Sequence, residues 1–177
     1  QNDGHGRFVE VLYESGLGGS HAATQTATWL DFDLDGDLDL FIGNEKSPCQ
    51  LFQNDGEGHF TDVAARAGVQ GGDWVKGVAS GDYDNDGDAD LYVSNLNGDN
   101  HLYRNNGNST FTDVASSLGV TGPQVSFPTW FWDYNNDGSL DIFAACYEGG
   151  VEDVAAGYFY PDKKPVVELD HLYQADG

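Results

Sequence analysis

The chain has 177 residues, of which 39% are hydrophobic and 13% aromatic, so a folded core is expected rather than a disordered acidic tail. Its formal net charge of −23 at pH 7 argues against nucleic acid or an anionic membrane surface as a partner. No apolar stretch approaches the ~20 residues of a membrane helix, so we predict no membrane span.

The predicted elements follow one another in the same order three times along the chain. An apolar, β-prone segment is predicted at 24–32, 76–83 and 126–134, and a second at 38–42, 89–93 and 140–144. A third follows at 50–53, 101–104 and 171–174, and each copy ends in a Gly/Asn/Asp turn typical of a tight hairpin. A fourth follows the turn at 60–63 and 111–114, and residues 8–11 open the chain in the same phase.

A nine-residue acidic loop separates the first and second segments of each copy. Loop 1 is 31–39, loop 2 is 82–90 and loop 3 is 133–141, at a constant spacing of 51 residues. Four short antiparallel strands in each ~50 residues are typical of a β-propeller blade. Helix is expected for one turn at most, at 63–67 and 114–118.

These patterns predict an all-β fold, a β-propeller segment of three four-stranded blade equivalents with a calcium loop between the first and second strands of each blade. We predict a single repeat domain over 1–177, with blade equivalents at 1–53, 54–104 and 105–177. Along the chain, each blade equivalent consists of a fourth strand followed by the first, second and third strands of the next sheet.

Two stretches carry a resemblance to a known family. Residues 129–138 (TWFWDYNNDG) and 102–114 (LYRNNGNSTFTDV) are similar to the FG-GAP/VCBS family of integrin-α-like β-propellers, in its cartilage-acidic-protein/UnbV branch. The resemblance covers the chain except about 146–170. It implies that the loop between the first two strands of a blade holds Ca²⁺, and that the full ring has seven blades.

The acidic loops have the pattern of a site for a hard cation. Side chains at positions 1, 3, 5 and 9 can converge on one ion, and position 7 can offer its backbone carbonyl. Position 6 is Gly in every copy, as a turn with positive φ requires. The candidate ligands are Asp31, Asp33, Asp35, Asp37 and Asp39 in loop 1, Asp82, Asp84, Asp86, Asp88 and Asp90 in loop 2, and Asp133, Asn135, Asp137, Ser139 and Asp141 in loop 3.

An EF-hand begins with the same residues but is excluded. It needs a bidentate Glu at position 12 between two helices, whereas position 12 here is Ile42, Val93 or Ala144 inside a predicted strand. We therefore predict three Ca²⁺ sites with a structural role. Polar Asx turns without a metal are the alternative, and it weighs most for loop 3, which has fewer carboxylates. Mg²⁺ is disfavoured because it prefers waters and strict octahedral geometry.

The period fails in the third copy, where 19 extra residues lie at about 146–170. A long insertion can carry binding, so this segment is a candidate contact for a protein or glycan ligand; a solvated excursion is the alternative. Trp29, Trp130 and Trp132 fall within strands before the acidic loops, so we expect them in the core or between blades; platforms for a ligand are the alternative. Cys49 and Cys146 lie in different copies and leave open two thiols or one disulfide.

Three blade equivalents cannot close a ring, so the remaining blades of a larger propeller, or copies of this chain, are expected as partners. The predicted function is an extracellular calcium-binding repeat protein serving adhesion, recognition or surface assembly. The alternative is a propeller accessory domain of a secreted carbohydrate-active or hydrolytic enzyme. We predict no enzyme activity, because the five His residues are scattered and no nucleophile elbow occurs. Secretion or the cell surface is expected, since Ca²⁺ is plentiful there.

Overall fold

The protein is all-β in a computed structural model that describes residues 1–19, 21–71, 74–147 and 168–175. The predicted insertion at 146–170 therefore lies almost wholly outside the described residues. The strands are β1 (Ala23–Leu30), β2 (Asp39–Glu45), β3 (Gln50–Asn54), β4 (Phe60–Asp62), β5 (Val75–Gly81), β6 (Asp90–Asn95), β7 (His101–Asn105), β8 (Phe111–Asp113), β9 (Ser126–Trp132), β10 (Asp141–Cys146) and β11 (His171–Tyr173).

The strands of the described residues form three antiparallel sheets, each a meander of consecutive strands. Sheet 1 has the order β1-β2-β3-β4, sheet 2 has β5-β6-β7-β8, and sheet 3 has β9-β10-β11. The second and third strands pair in the same register in each sheet, through Leu40 with Phe52, Leu91 with Tyr103, and Ile142 with Tyr173. The predicted order of strands is confirmed. Residues 8–11 form no strand, and Phe8 makes only an isolated bridge to Asn2.

A single helical turn follows the fourth strand of sheets 1 and 2. These turns are α1 (Ala64–Ala67) and α2 (Ala115–Leu118), as the sequence predicts. Each ends at a glycine in the left-handed region, Gly68 with φ 81° and Gly119 with φ 72°. Gly16 has the same conformation, with φ 82°, so residues 11–16 repeat the turn before sheet 1.

The core lies in two layers, one on each side of sheet 2. All six residues of β6 are buried, and their side chains alternate between the layers. Leu91 and Val93 join the cluster shared with sheet 1, whereas Tyr92 joins the cluster shared with sheet 3. α1 packs into the first layer through Ala64 and Ala67. Sheet 2 is thus covered on both faces, and loop 2 connects the ends of its first two strands.

The first strands of successive sheets approach closely where side chains are small. A Cβ on Gly77 of β5 would lie 2.7 Å from the carbonyl oxygen of Phe127 in β9 and 3.0 Å from the backbone nitrogen of Thr129. Thr28 of β1 and Ser80 of β5 share a hydrogen bond of 2.9 Å. The glycines of this strand are therefore required for packing against the next sheet.

The core is the wrong place for the three tryptophans that were expected in the core or between blades, and their packing between blades stays a prediction. Trp29, Trp130 and Trp132 are 52%, 43% and 59% exposed. Phe131 packs against Tyr92 of sheet 2, so its neighbours in β9 point to the opposite face. The three tryptophans lie on the outer faces of sheets 1 and 3, which no described sheet covers. Trp130 stacks on Phe143 at a centroid distance of 4.6 Å.

Cys49 and Cys146 are not joined by a disulfide. Cys49 is fully buried in the layer between sheets 1 and 2, and burial raises the pKa of its thiol. Cys146 lies at the end of β10, in sheet 3. The cysteine of the first core layer is therefore a packing residue.

Candidate metal centres

The first aspartate of each acidic loop holds the loop in one conformation. Asp31 accepts hydrogen bonds from the backbone N–H groups of Asp35 at 3.2 Å and Gly36 at 3.0 Å. Asp82 in loop 2 and Asp133 in loop 3 accept bonds of 2.9 to 3.1 Å from the same relative positions. The three loops therefore share one backbone arrangement.

Two residues in each loop adopt left-handed backbone conformations. The glycine at position 6 has φ of 95°, 96° and 93° in loops 1, 2 and 3, as its identity predicts. Position 4 is also left-handed, with φ 62° at Leu34, 58° at Asn85 and 60° at Asn136. Asn tolerates a positive φ, so Asn85 and Asn136 indicate a left-handed residue at position 4 in loops 2 and 3. Leu rarely adopts this conformation, so Leu34 does not indicate it in loop 1.

The ninth residue connects each loop to the third strand of its sheet. Asp39 is fully buried, and its two carboxylate oxygens accept backbone N–H bonds from Phe32 at 3.0 Å and Asn54 at 2.8 Å. Asp90 accepts the equivalent bonds from Tyr83 and Asn105, and Asp141 those from Tyr134 and Ala175. This residue is thus a structural anchor as well as a candidate ligand.

Burial favours the protonated form of two of these anchoring aspartates when no cation is present. It raises the pKa of Asp39 to about 6 and that of Asp90 to about 7, although the backbone hydrogen bonds act in the opposite direction. Carboxylates of the same loop raise both pKa values further; for Asp39 they are Asp33 and Asp35. A cation beside these groups would favour their charged forms.

Loops 1 and 2 each bring three carboxylates together. Oxygens of the three side chains lie within 4.8 Å of one another, for Asp31, Asp33 and Asp39 in loop 1 and for Asp82, Asp84 and Asp86 in loop 2. Oδ1 of Asp33 is buried and has no hydrogen-bond partner among the described residues, while its Oδ2 accepts a bond of 2.5 Å from Gln53. An uncompensated buried carboxylate oxygen is costly, so loop 1 fits a cation on its own chemistry.

Loop 3 has the same backbone but different side-chain contacts. The amide of Asn135 donates to Asp137 at 2.7 Å, and Oδ1 of Asn135 accepts from the backbone of Asp137. Ser139, at position 7, donates its backbone N–H to Asp137 at 2.9 Å. No trio of carboxylates comparable to those of loops 1 and 2 forms here within the described part of the chain.

The remaining predicted residues lie to one side of the trios. Asp35 accepts the backbone N–H of Asp37 at 2.9 Å. A Cβ on Gly56 in the β3–β4 turn would meet the carboxylate of Asp37 at 2.4 Å, and a Cβ on Gly107 in the β7–β8 turn would meet that of Asp88 at 2.8 Å. Glycine at these two turn positions leaves room for the carboxylates, and the backbone carbonyls of Asp37 and Asp88 stay the predicted ligands.

Sequence reasoning missed the amides that support the loops from the third strand. Asn54 donates to the carbonyl of Leu38 at 3.1 Å, and Asn105 donates to that of Phe32 at 2.9 Å. The Phe32 bond crosses from sheet 2 to sheet 1. The signal was present, because the loops recur with an Asn at the end of the third strand in the first two copies.

The fold and the loops define an all-β repeat with a recurring acidic loop, and comparison with known proteins agrees. The FG-GAP-like repeat model matches residues 31–93 and again residues 82–144. The chain belongs to this family. Each match runs from one acidic loop to the second strand of the following sheet, so two consecutive repeats are covered.

The chain is also similar to cartilage acidic protein 1. It is 38% identical to the human protein over 117 residues and 38% identical to the Mus musculus protein over 112 residues. The Xenopus tropicalis protein is 36% identical over 112 residues. Each comparison covers 59% of this chain but only 16% or 17% of the relative, so the chain spans about a sixth of the length of these proteins.

No helix among the described residues is long and apolar enough to cross a membrane. Both helices of the described part are single turns of four residues.

Proposed function

We propose that the chain is a calcium-stapled segment of an extracellular β-propeller, and that it serves adhesion, recognition or surface assembly without a reaction of its own. The observation that carries the proposal concerns Asp33, which belongs to the trio of carboxylates in loop 1. Its Oδ1 is buried and has no hydrogen-bond partner among the described residues. The family match supports the propeller, since FG-GAP-like repeats cover residues 31–144.

Calcium would act on the connection between strands rather than on a substrate. Asp31, Asp33 and Asp39 would hold the ion in loop 1, with Asp35 and the Asp37 carbonyl completing an oxygen shell. Loop 2 would hold an ion through its own trio, and loop 3, where the described residues form no such trio, would use its predicted ligands. Because Asp39 also anchors β3 through Asn54, the ion would fix the first, second and third strands of one blade relative to each other.

An exported setting is supported by charge and chemistry together. With 30 acidic and 7 basic residues, the loops repel one another unless cations neutralise them. Relatives carry the name cartilage acidic protein 1, and this chain shares the acidity. The exposed aromatic faces of sheets 1 and 3 supply surface for contact with further blades or partners.

Calcium titration with a matched loop variant tests the proposal. We expect three ions per chain, and a melting temperature that falls by many degrees in EGTA, since each site at 100 times its Kd adds about 2.7 kcal/mol. Asp33→Asn should reduce the count to two. The control is Asp55→Asn, the same chemical change at an exposed turn aspartate. A melting curve indifferent to EGTA, or a count unaffected by Asp33→Asn, would refute the proposal.

A further inference from the structure

The penultimate residue of the third strand faces the acidic loop of sheet 1. Gln53 of β3 donates from its amide nitrogen to Oδ2 of Asp33 at 2.5 Å. The next residue, Asn54, donates its backbone N–H to Asp39 of the same loop at 2.8 Å. Two consecutive residues of β3 therefore contact loop 1, one through its side chain and the other through its backbone.

The other end of the Gln53 side chain is held by a residue of α1. The guanidinium of Arg66 donates to Oε1 of Gln53 at 3.1 Å. This bond directs the amide nitrogen of Gln53 towards Asp33, and it keeps the positive charge of Arg66 one side chain away from the carboxylates. A neutral donor therefore faces loop 1, and Oδ1 of Asp33 has no hydrogen-bond partner among the described residues.

Sheet 2 has the positive charge on the strand itself. Arg104 of β7 lies 51 residues after Gln53 and has the same place in the pairing of third and fourth strands. The helical turn α2 has Ser117 where α1 has Arg66, and the hydroxyl of Ser117 donates within its own turn at 2.8 Å. The arginine near loop 2 is thus on the third strand, whereas the arginine near loop 1 is on the helical turn.

The charge of Arg104 reaches loop 2. Burial raises the pKa of Asp84 and that of Tyr83, and the positive charge of Arg104 acts in the opposite direction on both. Arg104 is exposed and forms no ion pair with another residue in the described part of the chain. Its charge therefore acts on the loop through space rather than through a fixed contact, and salt should weaken that interaction.

A permanent cation at this position has opposite effects on the two states of the loop. Without a metal, the guanidinium offsets part of the repulsion among Asp82, Asp84 and Asp86, the trio of loop 2. When Ca²⁺ enters the loop, the same charge repels the ion and lowers its affinity. Gln53 has neither effect on loop 1, because its side chain is neutral.

We propose that the penultimate residue of the third strand sets the calcium affinity of its loop, so that loop 1, facing Gln53, binds Ca²⁺ more tightly than loop 2, facing Arg104. The two loops fill in this order as calcium rises, and Arg104 partly neutralises loop 2 before its ion arrives. One charge about a Debye length from a divalent ion changes the Kd roughly three- to tenfold at low salt. This role of the third strand rests on the proposed function, because it requires calcium in the loops.

Exchange of the two residues tests the proposal, with one NMR signal for each loop. The backbone N–H groups of Gly36 and Gly87 donate to the first aspartate of loops 1 and 2, so each signal should shift when its loop binds calcium. In the parent protein, Gly36 should reach its midpoint at a lower calcium concentration than Gly87. Arg104→Gln should lower the Gly87 midpoint about three- to tenfold at low salt, and Gln53→Arg should raise the Gly36 midpoint.

Two further variants separate the charge of Arg104 from its shape. Arg104→Lys keeps the charge, so the Gly87 midpoint should stay within about twofold of the parent value. Lys46→Gln removes a positive charge beyond the end of β2 that is remote from loop 1, where Nζ of Lys46 lies 4.3 Å from the ring centroid of Trp74. It should move neither midpoint. Arg104→Gln should also lower the melting temperature of the calcium-free protein, a change opposite in sign to its gain in calcium affinity.

The possible failures of this role and of the calcium sites give different results. Arg104 does not set the affinity of loop 2 if Arg104→Gln leaves the Gly87 midpoint unchanged or raises it, or if Arg104→Lys acts like Arg104→Gln. A parent protein in which Gly87 responds before Gly36 would also overturn the proposed order. In these cases the calcium sites stand. A Gly87 signal that ignores calcium overturns the role of Arg104, and if the Gly36 signal ignores calcium too, the proposed function is overturned with it.

Discussion

Asn100 joins sheets 2 and 3 through a buried amide network, and its removal should destabilise the fold strongly. The side chain is 1% exposed. Its Oδ1 accepts the backbone N–H of Asn95 at 2.8 Å, and its Nδ2 donates to the Gly122 carbonyl and to the Ser126 hydroxyl, each at 2.7 Å. Sheet 1 has the buried Cys49 at the same repeat position. The network is thus particular to the second interface.

The expected cost of Asn100→Ala is about 3 kcal/mol. The Asn95 N–H loses its acceptor in a buried site, which costs about 1–3 kcal/mol, and truncation in a packed layer adds about 1 kcal/mol. The Gly122 carbonyl retains the Tyr173 hydroxyl at 3.0 Å and adds little. For a chain of this size, the melting temperature should fall by about 6–12 °C.

Urea unfolding in saturating calcium measures this loss against a control in the same loops. Gln124→Ala removes an exposed hydrogen bond of 2.6 Å to Asp99 and should cost less than about 0.5 kcal/mol. If Asn100→Ala costs under about 1 kcal/mol, or no more than Gln124→Ala, the buried network does not join sheets 2 and 3.

Two further predictions concern the loops and the sheet packing. Because the pKa of Asp39 is about 6 and that of Asp90 about 7, against an ordinary 3.8, protons stay bound to the metal-free fold between about pH 4 and 7 after the unfolded chain has lost them. These two groups therefore lower the stability of the metal-free protein as the pH rises through that window, and calcium must displace their protons in order to bind. In calorimetry, calcium should bind more weakly at pH 5.5 than at pH 7.5, and binding at pH 5.5 should release protons. Binding at pH 5.5 without proton release would contradict this. Gly77→Ala should cost about 1–3 kcal/mol because its Cβ meets the backbone of β9, whereas Gly98→Ala, with no atom within 4 Å, should be near neutral in the same thermal melts; equal effects would refute the packing argument.

The order of the strands could be predicted because three copies constrain one another. A single segment such as β7 is only five residues long and its composition alone is ambiguous. β3 lies 51 residues before it, and β11 follows in the same phase after the 19 extra residues of the third copy, so the repeat places equivalent strands in equivalent sheets and removes the ambiguity. The helical turns were predicted for the same reason.

The positions of the tryptophans could not be predicted from the same pattern. Alternation assigns Trp130 and Phe131 to opposite faces but does not say which face meets another sheet. Phe131 meets Tyr92, and Trp130 takes the position of Ala79, where sheet 2 needs a small side chain against sheet 3. A large residue at that position therefore indicates a different neighbour beyond sheet 3, a signal that comparison of the copies contains.

The acidic loops combine two demands that a sequence motif does not separate. The motif treats positions 1, 3, 5 and 9 alike, yet the trio in loop 1 includes Asp39 whereas that in loop 2 includes Asp86 instead of Asp90. Asp39 and Asp90 accept hydrogen bonds from equivalent pairs of backbone N–H groups, so both anchor their loop in the same way. Their distances to the other carboxylates of the loop differ. Anchoring holds the strands together, and a cation would neutralise the carboxylates that anchoring brings close. Asp33, whose buried Oδ1 has no hydrogen-bond partner among the described residues, is therefore the residue whose loss should affect calcium binding most directly.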